Sequence, residues 1–303
     1  MKKIAIGQEE YTLHTSYQQD DKLRKAFNNL TNEVWGFDFE NFYQSNYWDD
    51  NCILYSLFDE DEIVSHLTIS LFETQVNEKV LHLAQIGTVM TVPKYQNKGL
   101  ARYLMEYVKN LYDNKVDGYF LFANDSVLNF YPKFGFSAVK EYQAYKEIDY
   151  VTSTQTYSYR KLDLTNKIDL KLFERYISTA NTNNAFDTKN KGITMFYTSA
   201  NPDFGFSDCI YYIEELNTVI IASIEEEILT VYGIYQEVES DIEAALKAIL
   251  LPTVKIINFG YSPLKITGKI REYKEDDLVL FVSNNLEHLF SNHKLMIPIL
   301  SHT

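Results

Sequence analysis

Residues 86–102 read IGTVMTVPKYQNKGLAR, and this stretch decides the fold. A β-branched run enters a turn opened by Pro93, crosses a polar loop holding Gly99, and passes directly into an amphipathic helix. Strand, tight loop and helix in that order leave the backbone N–H groups of roughly 98–101 as the unpaired donors of a helix start, where an anion is favoured. Gly99 removes a side chain from the point where a ligand would approach the backbone.

The helix from Leu100 is expected to bury Leu100, Leu104, Tyr107, Val108 and Leu111, leaving Arg102, Glu106 and Lys109 in water. Lys94, Lys98 and Arg102 concentrate positive charge around the loop of a chain whose formal charge is −14, from 28 basic and 42 acidic residues. That balance disfavours nucleic acid as a partner, while the local reversal of sign suits a small anionic ligand. Neither GxxxxGK[ST] nor GxGxxG occurs, so the loop is neither a nucleotide P-loop nor a dinucleotide fingerprint.

Outward from the loop, 52–58 and 62–70 read as strands joined by Asp59-Glu60-Asp61, a third strand covers 80–92, and 119–123 is a buried strand beside it. A short helix is expected at 126–131, ended by Gly135, with strand from Phe136. The threonine- and serine-rich stretch 151–160 marks a boundary between domains 1–150 and 151–303, in keeping with about 150 residues per domain. Beyond it we expect a helix near 168–179, strands at 192–198, 209–214, 218–224 and 227–236, a helix at 238–249 and a strand at 253–259. Strands, helix and strand thus recur in the second half. Its strand-to-helix turn carries Glu237, Glu239 and Asp241, carboxylates that would repel a diphosphate.

No uninterrupted run of about 20 apolar residues suggests a membrane span, and the N-terminus lacks a signal-peptide core, so a cytoplasmic protein is expected. Cys52 and Cys209 show no pairing pattern and read as small hydrophobes. HExxH, DxDxDG and GxSxG are missing, so neither a metal nor a serine hydrolase is expected.

The string VPKYQNKGLARYLM, Val92–Met105, resembles the Q/R-x-x-G-x-G/A signature of the GNAT family of N-acetyltransferases, with Gln96, Gly99 and Ala101 at its key positions. NFYPKFGF, Asn129–Phe136, resembles the family's second signature. The resemblance covers roughly residues 1–147 and implies an α+β, mixed-sheet acyl-coenzyme A N-acyltransferase fold with splayed central strands; the second half would be a degenerate copy. It implies acetyl transfer from acetyl-coenzyme A (acetyl-CoA) to a primary amine of a small molecule or peptide, by direct attack in a ternary complex. The alternative is a non-catalytic coenzyme A-binding or regulatory protein on the same fold.

By the same resemblance the diphosphate would sit on Gln96, Asn97, Lys98, Gly99, Leu100, Ala101 and Arg102. The pantetheine arm would bond to the backbone near Val89, Met90 and Val92, with Asn124 and Asn129 beside it. Tyr131 matches the general-acid tyrosine; its other reading is packing against Phe134 or Phe136. For a base the titratable candidates are Glu73, Glu33, His66 and His82, and a water relay would need none of them. Trp35, Phe37 and Trp48, within an aromatic cluster, either wall an acceptor pocket or fill a core. The second half either closes over the cleft or makes a homodimer interface.

Overall fold

The computed structural model describes residues 1–76, 79–148, 157–265 and 268–302. In chain order the first half forms β1 (Lys2–Ile6), β2 (Glu9–Thr15), α1 (Asp21–Trp35), α2 (Glu40–Gln44), β3 (Cys52–Asp59), β4 (Glu62–Val76), β5 (Lys79–Thr91), α3 (Leu100–Tyr112), β6 (Gly118–Ala123), β7 (Phe136–Ala138) and β8 (Glu141–Glu147). The second forms β9 (Arg160–Lys161), α4 (Lys167–Thr179), β10 (Asn181–Thr182), β11 (Phe186–Asp187), α5 (Lys191–Met195), β12 (Ile210–Ile213), β13 (Thr218–Glu225), β14 (Ile228–Gln236), α6 (Ile242–Ile249), β15 (Ile256–Phe259), β16 (Lys269–Tyr273), β17 (Val279–Ser283) and α7 (Glu287–His293).

Two mixed sheets result. The first is ordered β1-β2-β3-β4-β5-β6-β17-β7, and the second β16-β8-β15-β14-β13-β12-β9. Each contains a parallel pair bridged by a crossover helix: β5–α3–β6 in one, β14–α6–β15 in the other. Beyond each parallel pair the next strand comes from the other half of the chain. β17 pairs antiparallel with β6, and β8 pairs antiparallel with β15. The halves therefore trade their last strands, and sheet membership does not change over at residue 150. The stretch 151–156 lies outside the described residues.

The trade is sealed by close packing. Tyr119 N–H donates to Ser283 Oγ at 2.9 Å, and a Cβ on Gly118 would lie 2.6 Å from the Leu286 side chain. Phe281 belongs to the core under α3, while Leu280 and Val282 join a core on the opposite face with Phe72 and Phe120.

α1 starts where Asp20 accepts from Lys22 N at 3.0 Å and Leu23 N at 3.1 Å, and stops at Gly36, whose φ is 79°. α3 buries Leu100, Leu104, Met105, Val108 and Tyr112. The apolar stripe is displaced from the expected one: Tyr107 is half-buried and Leu111 is exposed.

Three expected elements differ. Residues 192–198 form helix, not strand, because Asn190 caps α5 through Ile193 N at 2.9 Å and the chain continues into a wide π-turn over Phe196–Ala200. The short helix at 126–131 is instead two 3-10 turns, Asp125–Val127 and Tyr131–Phe134. α6 begins only at Ile242, where Asp241 caps it through Ala244 N at 3.1 Å. Both cysteines are free and half-buried. Among the described residues no helix is long and apolar enough to cross a membrane.

Candidate active site

The cleft follows from where β5 and β6 part. Their parallel register runs only from Leu83↔Gly118 to Gln85↔Phe120, while β5 continues to Thr91 and β6 to Ala123. Past that point the strands diverge, as expected of splayed central strands. The opening is a cavity of about 1250 Å³, larger than the range of about 300–1,000 Å³ typical of small-molecule sites.

One end of the cavity is the loop before α3. Gly99 holds φ at 84° and Asn97 at 63°, and a Cβ on Gly99 would meet nothing within 4 Å. Left-handed backbone at both positions turns successive amides toward one side. Among the described residues no group accepts a hydrogen bond from the N–H of Asn97 through Arg102. Gln96, Asn97, Gly99, Leu100, Ala101 and Arg102 all line the cavity. Lys98 does not: its ammonium turns away to Glu9 at 2.9 Å. Lys94 is held by Glu62 at 3.1 Å. The expected concentration of free positive charge thus reduces to Arg102, 3.9 Å from Glu106, and Lys133, a cavity-lining lysine not foreseen from sequence.

The floor is β5. Val89 and Met90 line it; Val92 does not, and its N–H is spent on Val64 O at 3.1 Å. Thr88 is the unusual residue here, a β-branched side chain at φ 46°, a strained backbone for its type. A buried polar network pins it. His66 Nε2 lies 3.2 Å from Thr88 Oγ1 and 2.9 Å from Thr68 Oγ1, the two hydroxyls bond to each other, and His66 Nδ1 lies 2.6 Å from Ser56 Oγ. Complete burial pushes the His66 imidazole down to about 3, so it is neutral at physiological pH.

Tyr131 sits in the opposite wall on a 3-10 turn, 5% exposed, packed against Phe130, Phe136 and Phe281. It lines the cavity, and burial alone perturbs its hydroxyl, with no hydrogen-bond partner among the described residues. The two readings of this residue are therefore compatible: the ring packs and the hydroxyl remains available. Asn124 also lines the cavity, but its amide donates to Asp277, to Oδ2 at 3.1 Å and to O at 3.3 Å. Asn129 is exposed and outside the cavity.

None of the four base candidates lines the cavity. Glu73 does not end its strand. β4 runs on to Val76, and the two-residue pleat puts Glu73 on the face of Leu67, Ile69 and Leu71, opposite the cavity-lining Thr68 and Ser70. Glu33 and His82 are exposed elsewhere, and His66 lies beneath the floor.

The other end of the cavity is aromatic. Trp35, Phe37 and Trp48 line it together with Phe39 and Phe42, while Trp48 and Phe42 also belong to a buried core cluster against which Phe37 and Phe39 pack. The second half adds Phe196, Tyr197, Phe204 and His302, which sequence reading did not connect with the site. Phe196 and Tyr197 fall in the segment expected as strand, 192–198, and Phe204 and His302 lie in segments that carry no pattern tied to the site. His302 stacks on Phe122 with ring centroids 3.8 Å apart, and its backbone oxygen accepts from Tyr197 OH at 2.7 Å. Burial lowers its imidazole to about 4.

Residues 16–139 match the family model described as an Acetyltransferase (GNAT) domain. No curated protein matches the sequence significantly. Among solved structures, a probable N-acyltransferase from Enterococcus faecalis V583 is similar at 12% identity and a TM-score of 0.53, over 92% of this chain and 74% of that one. A GCN5-related N-acetyltransferase from Anabaena variabilis ATCC 29413 is similar at 12% identity and a TM-score of 0.53, over 89% of this chain and 72% of that one. At such identity the likeness concerns fold alone, and it extends through the second half. Residues 16–139 thus match a GNAT domain model, and the two-sheet fold is similar to that of the solved N-acyltransferase structures.

Proposed function

We propose that this protein is an N-acetyltransferase that moves an acetyl group from acetyl-CoA to a primary amine by direct attack in a ternary complex. The observation that carries the reading is the set of unpaired N–H groups from Asn97 to Arg102 at the mouth of the β5/β6 splay. Donors fixed at a helix start suit a diphosphate, and the helix field adds about 0.3–1 kcal/mol per exposed charge. Arg102 and Lys133 supply the positive charge. The pantetheine arm would run along the unpaired edge of β5 by Val89 and Met90.

In the reaction the amine lone pair attacks the thioester carbonyl carbon, the C–S bond breaks, the amide nitrogen loses one proton and the thiolate gains one. Burial pushes the Tyr131 phenol up to about 12, so it stays protonated at neutral pH. Full transfer of that proton to a thiolate, whose acid form has a reference pKa of about 8.5, is uphill by on the order of 5 kcal/mol. Tyr131 therefore donates a hydrogen bond to the sulfur as charge develops there. The proton that completes the thiol comes from the attacking amine through water. Asp49, the one carboxylate lining the cavity among the described residues, lies at the aromatic end and accepts from Asn51 N at 2.9 Å, so no base is assigned and the amine enters already neutral.

Thermal melting with and without acetyl-CoA tests the reading. Saturating acetyl-CoA is expected to raise the melting temperature, and Gly99→Glu to abolish that rise by placing a carboxylate where the diphosphate sits. Gly99→Asn, which tolerates the positive φ, separates this from backbone strain and should fold normally. A melting temperature indifferent to acetyl-CoA defeats the assignment. Cofactor binding without turnover of any amine would favour the regulatory alternative.

A further inference from the structure

We infer that the acceptor is a primary amine carried on an aromatic or similarly broad apolar body, not a polycation and not a short polar amine; this rests on the acetyltransferase reading above. The acceptor end of the cavity is walled by rings from both halves of the chain. Phe39 stacks on Phe196 at 5.1 Å and 18°, and Trp35 on Phe37 at 6.2 Å and 21°. Phe37 meets Phe204 edge-on at 5.2 Å and 83°. Rings packed on one another in this way present a continuous apolar wall to the cavity, against which a flat apolar group can lie. Trp35 is 40% exposed and its neighbour Val34 49%, an apolar mouth of the kind that marks a binding site.

The charges point the same way. The protein as a whole carries −14, so a polycationic acceptor would be drawn to its surface almost anywhere. Yet Asp49 is the sole carboxylate lining the cavity among the described residues, and it is occupied by Asn51 N at 2.9 Å. Glu174, which accepts from Tyr47 OH of the wall, is paired with Lys191 at 3.0 Å. Beyond Asp49 a second or third ammonium would meet no further carboxylate lining the cavity among the described residues, and leaving one desolvated and unpaired is costly. A single amine among aromatic walls is instead pushed toward its neutral form, which is the nucleophilic one.

The test uses the full chain and its two tryptophans, Trp35 and Trp48, both of which line the cavity. Their fluorescence is titrated with 2-phenylethylamine, ethanolamine and spermidine, and thiol release from acetyl-CoA is measured with the same three amines. We expect 2-phenylethylamine to perturb the fluorescence saturably and to exceed the other two in kcat/KM by about tenfold or more, the size of effect that burying one ring gives. Phe204→Ala, at the half-buried rim, should raise KM for 2-phenylethylamine about tenfold while leaving the acetyl-CoA melting shift intact. That intact shift also verifies folding. Preference for spermidine or ethanolamine, with acetyl-CoA still stabilising the protein, overturns this inference alone. Absence of any acetyl-CoA effect overturns the acetyltransferase reading, and saturable 2-phenylethylamine binding would then still support the apolar acceptor slot.

Discussion

At the scale of the residue, the cleft depends on buried groups held in one protonation state. Tyr131→Phe keeps the ring packing on Phe136 and Phe281 and removes only the hydroxyl. We expect kcat to fall about 100-fold, as for loss of one fixed donor, with KM for acetyl-CoA little changed in steady-state kinetics. Because its phenol sits at about 12, no alkaline loss of rate from this group should appear below pH 10. His66 controls the acid side of stability. Its folded value of about 3 lies below the ordinary 6.5, so the unfolded chain binds the extra proton and stability is lost as pH falls from 6.5 toward 3. His302, lowered to about 4, acts in the same direction. Glu141 acts in the opposite one. Burial raises its carboxyl to about 8, so its contribution is complete below about 4.5 and is lost as pH rises through 8. His66→Gln should therefore flatten the fall in melting temperature between pH 6.5 and 4, relative to the parent protein, whatever its cost at neutral pH.

At the scale of the element, Gly118 tests how tightly β6 is locked to the chain that follows β17. Its Cβ would approach Leu286 at 2.6 Å and Ser283 Oγ at 2.8 Å. Gly118→Ala is expected to destabilise by about 1–3 kcal/mol, read as a lower urea midpoint with the denaturant slope unchanged. Elements were legible in the sequence where a local pattern and the tertiary outcome agree. α3 shows a helical stripe, the loop before it shows Pro93 and Gly99, and β6 is an apolar run of strand length. The segment 192–198 misleads because Ile193, Thr194, Phe196 and Tyr197 are residues that favour strands, while a single cap at Asn190 and burial on several sides make it helical. Within the site, the loop and Tyr131 were readable from spacing. Phe196, Phe204 and His302 were not, because no short-range pattern records a packing partner more than a hundred residues away. Glu73 was misplaced for a different reason: strand length decides facing, and the end of β4 cannot be read to the residue.

At the scale of the whole molecule, the traded strands make the two halves one cooperative unit. A fragment of residues 1–148 would retain β6 and β7 but lose β17, the strand between them. We expect that fragment to fail to give the sharp thermal transition of the full chain, and the full chain to unfold in one step by circular dichroism and tryptophan fluorescence alike. Two separate transitions would show that each half is stable without its borrowed strand. The same trade has a consequence in time. A ribosome delivers β6 long before β17, so the growing first half waits, on the order of ten seconds or more at ordinary elongation rates, with the flank of Phe120–Ala123 open to any passing strand. Birth of this protein is thus its most hazardous moment, and slow codons or absent chaperones during that wait should cost more soluble product than they would for a chain that closes its sheets in the order they are made.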